Sequence, residues 1–414
     1  MPTPVNPPRG MRDHLPADKR RREGVLSVVR GVYRSYGFDE IETPVVEESS
    51  RLHSGLGGDN EKQVFAVLRR GLDLDDLKAA SSVLGLADLG LRFDLTVPLA
   101  RFYASHRAEL PTVFRSIQIA PVWRAERPQK GRYRQFVQCD IDVLGEPGPL
   151  AEIELIQATT AVLDALGLTG TTIRVNDRRI LLAMLAHWAV PAELTDQALI
   201  VVDKLDKIGV DGVVAELVAL GVTTPGLDVA LTELADASWQ TGEGPGAPSW
   251  LDADAFADLT ALRDALPGST LEFDPTLVRG MGYYTGTIFE IAHPDVPYSL
   301  GGGGRYDGMI GRFLGSDVPA AGFSLGFERL VDLVTLETDG DDGLALVYDK
   351  RVEPVQLLAL QSALLSRGER RVRLERRAKN LTNQLDGLAA AGFGRFASVR
   401  GGEVVDDLEI RTIG

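Results

Sequence analysis

Between Arg101 and Asp140 the chain carries eight basic residues (Arg101, Arg107, Arg115, Arg124, Arg127, Lys130, Arg132, Arg134) against three acids (Glu109, Glu126, Asp140). The sequence as a whole is acidic, with 44 Lys+Arg, 59 Asp+Glu and a net charge of −15. The stretch RAERPQKGRYRQFVQCDID (124–142) reads as the centre of a hairpin, with SIQIAPVWRAE and YRQFVQCDIDVLG as strands and RPQKGR as a basic loop. Strand alternation puts Val137, Cys139, Ile141 and Val143 on one face and Phe136, Gln138, Asp140 and Asp142 on the other. On the first strand Ile117, Ile119 and Trp123 oppose Gln118, Val122, Arg124 and Glu126. One face packs on a core. The other presents arginine, carboxylates, an amide and an aromatic ring. An antiparallel sheet commonly wets one face, so a polar face alone does not make a site.

Other segments add to that face. LRFDLTVPLARF reads as a strand with Asp94 and Thr96 opposite Phe93 and Leu95. TLVRGMGYYTG sets Arg279 among glycines, beside Tyr283 and Tyr284. GGGGRYDG brings four glycines ahead of Arg305, Tyr306 and Asp307, and glycine in strands lets a ligand or backbone approach closely. GFSLGFERL puts Glu328 and Arg329 at the opening of a helix. Arginines converging on a glycine-lined sheet suit a ligand with several phosphates, because the planar guanidinium fork grips phosphate oxygens in pairs. Carboxylates beside them suit a cationic group. Together they point to a polyphosphate and an amine. No G-x-x-x-x-G-K-[ST] segment occurs, which excludes an ordinary P-loop.

These groups need a scaffold, and its elements are legible. Residues 18–36 place Val25, Val28, Val29, Val32 and Tyr36 at helical spacing, with Gly37 as the stop. FDEIETPVVE reads as a strand broken at Pro44, and 150–166 as a helix with acids in its first turn. From about 170 to 268 the pattern is helical and interrupted. Strand character returns at TGTIFEIAH and LGGGGRYDGMIGRFLG, and AAGFSLGFERLVDLV begins as a strand and ends as a helix. After the linker ETDGDDG, strands and helices alternate, which implies a small parallel α/β domain. The expected division is 1–168 and 269–336 as two parts of one core, 169–268 as an inserted, mainly helical domain, and 337–414 as linker and C-terminal α/β domain. The fold class is therefore α+β.

The ordered motifs resemble those of the histidyl-tRNA synthetases, a family of class II aminoacyl-tRNA synthetases. The resemblance runs from PRGMRDHLP into the C-terminal domain. YGFDEIETPVVE, VWRAERPQKGRYRQFVQCDID and GFSLGFERL are similar to the three class II motifs, while LVRGMGYYTG and GGGGRYDG are similar to segments peculiar to the histidine enzymes. It implies an antiparallel-sheet catalytic core, an anticodon-binding-like C-terminal domain, and a homodimer through the first motif, with Pro44 at its interface. It also implies a histidine–tRNA ligase that forms histidyl-adenylate from histidine and ATP, with Mg2+ accompanying ATP, and transfers the histidyl group to tRNA(His).

By resemblance, ATP is held by Arg124 at the α-phosphate, Glu126 on the adenine side, Phe136 stacked on the ring and Arg329 at the γ-phosphate. Arg279 takes the place of a metal ion near the α-phosphate and the histidine carboxylate; Arg279 and Arg124 are the catalytic pair, and both also bind histidine. Asp94, Thr96 and Gln138 hold the α-ammonium, Asp142, Tyr284 and Tyr306 the imidazole, and Tyr283 lines the same pocket. Arg127, Gln129 and Lys130 face the tRNA acceptor end. No metal ligand is assigned. The sequence departs from many relatives in Asp94, where they have Glu, in Gly282, where they have Asp, and in its short C-terminal domain.

A second reading is the synthetase-like regulatory subunit of ATP phosphoribosyltransferase, a paralogue family that lacks the C-terminal domain and loses catalytic arginines. Here Arg124, Arg279 and Arg329 are present and an α/β domain follows. No apolar run is long enough to span a bilayer, the N-terminus lacks an apolar signal core, and Cys139 is the only cysteine. A cytoplasmic enzyme without membrane contact is expected.

Overall fold

The alternating residues of 114–144 form two long strands, and the rest of the large sheet is laid against them. The computed structural model describes residues 5–53, 63–128, 131–235, 248–279, 283–335 and 343–413. The chain divides into two compact units, residues 1–12 with 27–334, and residues 13–26 with 335–414.

Helix α1 (Pro16–Ser35) is followed by β1 (Asp39–Glu40), β2 (Val46–Glu48), the short α2 (Ser49–Leu52), β3 (Ala66–Leu68), α3 (Leu74–Ala79), β4 (Ala87–Leu91) and α4 (Thr96–His106). The hairpin β5 (Phe114–Trp123) and β6 (Gln135–Leu144) then leads to α5 (Leu150–Ala165) and β7 (Thr172–Asp177). Five helices follow: α6 (Arg178–His187), α7 (Thr195–Val202), α8 (Leu205–Ala219), α9 (Leu227–Ala235) and α10 (Ala253–Ala265). The chain returns through β8 (Leu271–Phe273), β9 (Thr287–His293), β10 (Val296–Arg305), α11 (Asp307–Leu314), β11 (Ala320–Gly326) and α12 (Phe327–Leu333).

Eight strands form one sheet in the order β1-β5-β6-β11-β10-β9-β7-β8. β5 through β7 pair antiparallel along it, and β1 on β5 and β8 on β7 are parallel. The α+β expectation holds. Ile117, Cys139, Ile141 and Val143 are buried, as the alternation requires. On α1, Tyr33 takes the buried place expected of Tyr36, which is exposed, because it continues the four-residue step from Val25 and Val29.

Three segments differ from the sequence reading. LRFDLTVPLARF is not a strand: β4 stops at Leu91 and Thr96 opens α4. Asp94 Oδ1 accepts from Val97 N at 3.2 Å, and Pro98 sits in the first turn, where an amide donor is not required. RYDGMIGRFLG is helical from Asp307, and Gly315, at φ 74°, closes α11. The stretch 172–177, expected within the helical insertion, is β7 and pairs with β9, so helices begin at Arg178, capped by Asp177.

The C-terminal unit contains β12 (Leu344–Tyr348), α13 (Pro354–Ser366), β13 (Val372–Arg376), α14 (Leu381–Ala390), β14 (Arg395–Val399) and β15 (Arg411–Thr412). β13, β12 and β14 are parallel, the alternation expected of it, and β15 adds an antiparallel edge. Among the described residues no helix is long and apolar enough to cross a membrane.

Candidate functional site

The polar face of β6 forms one wall of a cavity of about 370 Å³. Cross-strand register builds the adjoining wall: on β11, Gly322 lies opposite Asp142, Ser324 opposite Asp140 and Gly326 opposite Gln138. β10 contributes Ser299, Leu300 and the glycines Gly301 to Gly303. Two glycines leave the space that polar side chains occupy. A Cβ at Gly322 would stand 2.0 Å from Asp142 Oδ1, and one at Gly302 would stand 2.2 Å from Arg279 Nη1. The bare backbone of these strands is what lets polar side chains lie across the sheet.

The cavity brings together Asp94, Thr96, Arg124, Glu126, Phe136, Gln138, Asp142, Arg279, Tyr283, Tyr284, Tyr306 and Arg329. Asp94 and Thr96 arrive from the turn and first residue of α4, not from a strand. Arg127 does not line the cavity and is exposed. Gln129, Lys130 and Gly282 lie outside the described residues.

Asp94, Asp140 and Asp142 form a carboxylate cluster in the cavity lining. Tyr306 Oη donates to Asp142 Oδ1 at 2.6 Å. Burial pushes Asp142 up to about 7, against the bond from Tyr306, with the charge of Asp94 adding to the rise. Burial likewise pushes Asp94 up to about 6, opposed by the Val97 amide and by Arg124. Asp140, between Gln138 and Asp142 on the strand, is raised well above the usual carboxylate range by burial and by the nearby Asp142. Two buried acceptors, Asp94 Oδ2 and Gln138 Oε1, have no hydrogen-bond partner among the described residues. Buried acceptors without donors mark where a cationic ligand group is best received.

Three arginines line the same cavity, Arg124 near Asp94 and Asp140, and Arg329 near Arg279. Arg124 donates from Nε to Phe93 O at 3.1 Å, with its guanidinium 5.1 Å from the centre of the Phe136 ring. Burial lowers its pKa against the pull of Asp94 and Glu126. Arg329 donates to Ser299 O at 2.6 Å and lies 5.2 Å from the centre of the Tyr298 ring. Arg279 bonds Glu290 at 3.0 Å, and Glu290 in turn accepts from Arg174 at 2.6 Å. Glu126 pairs with Arg132 at 3.1 Å.

Sequence reading left several lining residues without a role. Glu290 and Ser324 are brought in by strand register, Glu290 opposite Gly302 on β10 and Ser324 opposite Asp140 on β6. Glu328, already noted beside Arg329, accepts from Val137 N at 3.3 Å and from the Arg12 guanidinium, which lies 3.5 Å from the centre of the Tyr133 ring. Nothing in the spacing links Arg12 to Glu328, which is 316 residues distant. No cluster of three His, Cys, Asp or Glu suited to a metal ion occurs among the described residues.

A family model described as histidyl-tRNA synthetase matches residues 10–330. A histidine–tRNA ligase of Leifsonia xyli subsp. xyli is 60% identical over 415 residues, covering 96% of each chain. The structure of histidyl-tRNA synthetase from Nostoc sp. PCC 7120 matches with a TM-score of 0.74 at 24% identity, covering 100% of this chain and 95% of that one. A structure described as an ATP phosphoribosyltransferase regulatory subunit/histidyl-tRNA synthetase from Bacillus halodurans C matches at 0.76 and 22% identity, covering 97% and 100%. At such identities these two structures show the fold alone.

Proposed function

Because this chain belongs to the histidyl-tRNA synthetase family, we propose that it is a histidine–tRNA ligase whose cavity binds ATP through its arginines and histidine through its carboxylates. The observation that carries this reading is the single cavity lined by both sets of groups, the orphaned acceptors Asp94 Oδ2 and Gln138 Oε1 together with Arg124, Arg279 and Arg329.

In this reading Asp94, Thr96 and Gln138 receive the α-ammonium. Asp142, already hydrogen-bonded to Tyr306, accepts from the imidazole, and Tyr283 and Tyr284 close the pocket. Arg124 grips the α-phosphate, Phe136 stacks on adenine beside Glu126, and Arg329 holds the γ-phosphate. Mg2+ enters with ATP as part of the substrate, held mainly by phosphate oxygens and water. Glu290 and Glu328 are engaged by Arg279, Arg174 and Arg12 and offer it little.

The histidine carboxylate attacks the α-phosphorus. A P–O bond to the carboxylate forms, the α–β bridge breaks, and pyrophosphate leaves. The terminal ribose hydroxyl of the tRNA then attacks the acyl carbon and AMP leaves. Arg124 and Arg279 orient the reactants and stabilise charge on the phosphate oxygens, without a covalent enzyme intermediate. Burial excludes water and strengthens both effects.

The rival reading, a regulatory subunit without aminoacylation, shares the fold. Retention of all three arginines in one cavity favours the ligase. Histidine-dependent exchange of pyrophosphate into ATP tests it: the ligase exchanges, a regulator binds histidine and does not. The proposed homodimer, with Pro44 at its interface, predicts a dimer by sedimentation at micromolar concentration; a monomer contradicts it.

A further inference from the structure

We propose that Asp140, together with Ser324, is a positioning residue that fixes the Gln138 amide with its oxygen toward the amino acid's α-ammonium. This rests on the proposed histidine site. Gln138 and Asp140 are two residues apart on β6 and share a face, and Ser324 lies across from Asp140 on β11. Gln138 Nε2 is 2.9 Å from Ser324 Oγ and 3.3 Å and 3.4 Å from the Asp140 oxygens. Ser324 also bonds Asp140. Both partners of the amide are buried or half-buried, and Gln118, opposite Asp140 on β5, is committed to Leu95 O and Thr43.

An amide has one donor end and one acceptor end of nearly the same shape. The hydrogen bonds from Ser324 and Gln138 favour the ionised form of Asp140 against its burial. With Asp140 in that form and the Ser324 hydrogen spent on it, only the donor end can face this pair. The reversed amide would set Oε1 against a carboxylate and a hydroxyl lone pair and aim two N–H donors at a cationic ligand. The observed orientation leaves Oε1 buried without a partner. An arriving ammonium supplies the missing donor. Asp140 therefore acts on the amino acid through Gln138, while the nearby Asp94 acts on it directly.

The test compares histidine with 3-(imidazol-4-yl)propionate, which keeps the imidazole and carboxylate and lacks the amine. Binding to the full chain is measured by calorimetry, with the propionate read by competition where it is weak. Asp140→Asn lets the amide reverse, so histidine should bind roughly tenfold to a hundredfold more weakly, the range for a hydrogen bond to a charged group. The propionate should be unaffected. Adding Gln138→Glu to Asp140→Asn should restore histidine binding, because a carboxylate has no wrong end. Ser324→Ala should weaken histidine alone, by a smaller factor, and serves if Asp140→Asn does not fold. Equal losses for both ligands, or no loss for either, would overturn the proposal. Wild-type protein that binds no histidine would instead overturn the site reading on which it rests.

Discussion

Arg279 is held against Glu290, Nη1 to Oε2 at 3.0 Å, over the bare backbone of Gly302. The same carboxylate bonds Arg174 at 2.6 Å, and Arg174 also bonds Asp274 at 3.1 Å. The guanidinium that the proposed mechanism places at the α-phosphate is therefore fixed before substrate arrives, and preorganised charge costs no rearrangement during the reaction.

Arg279→Ala should lower the rate of histidyl-adenylate formation by about 10²–10³, with a much smaller change in histidine affinity. Gly302→Ala, which puts a methyl where Nη1 lies, should reproduce the rate loss with Arg279 still present. Pre-steady-state adenylation with separate binding measurements checks both. An unchanged rate in Arg279→Ala removes it from the mechanism.

The carboxylate cluster predicts a pH dependence. Asp142 is pushed up to about 7 and Asp94 to about 6, so both hold a proton part of the time near neutrality. A bound ammonium and imidazole N–H favour the ionised forms, so histidine binding should expel protons, and affinity should fall as pH drops through about 7 toward 6. Tyr306→Phe removes the bond that holds Asp142 down, so the midpoint should move to higher pH. Free histidine titrates in the same region, but its own pKa cannot respond to Tyr306. A midpoint that does not move, or moves down, contradicts the assignment of Asp142.

The hairpin, its two faces and the parallel C-terminal unit were legible because strand alternation and glycine punctuation are local signals. Asp94 and Thr96 were legible as polar residues that reach the cavity and not as helix-start residues, because Phe93 and Leu95 alternate with them while the bond from Val97 N to Asp94 is one weak cue among apolar neighbours. Glu290 and Arg12 were hidden for another reason. Their partners Arg174 and Glu328 lie far away in sequence, and only the folded sheet brings such charges together. Asp140 stood in plain view on the polar face, yet its use depends on Ser324, which the β6–β11 register supplies.

The basic loop predicts a separation of the two reaction steps. Arg127→Ala or Gln129→Ala should spare pyrophosphate exchange and cut aminoacylation, since arginine and glutamine side chains read base edges. Lys130→Ala should weaken tRNA of any sequence and reduce the salt slope by about one unit, as loss of one phosphate contact does. If all three substitutions leave charging intact, the loop takes no part in recognition.

The most direct test of the central claim is aminoacylation of total tRNA by the purified chain with MgATP and each of the twenty amino acids in turn. Histidine alone should be charged, since a site built on hydrogen bonds rejects analogues lacking them by about 10⁴ or more. Charging with another amino acid would contradict the pocket assignment. Histidine binding with neither pyrophosphate exchange nor charging would contradict the ligase itself and leave the regulatory reading in its place.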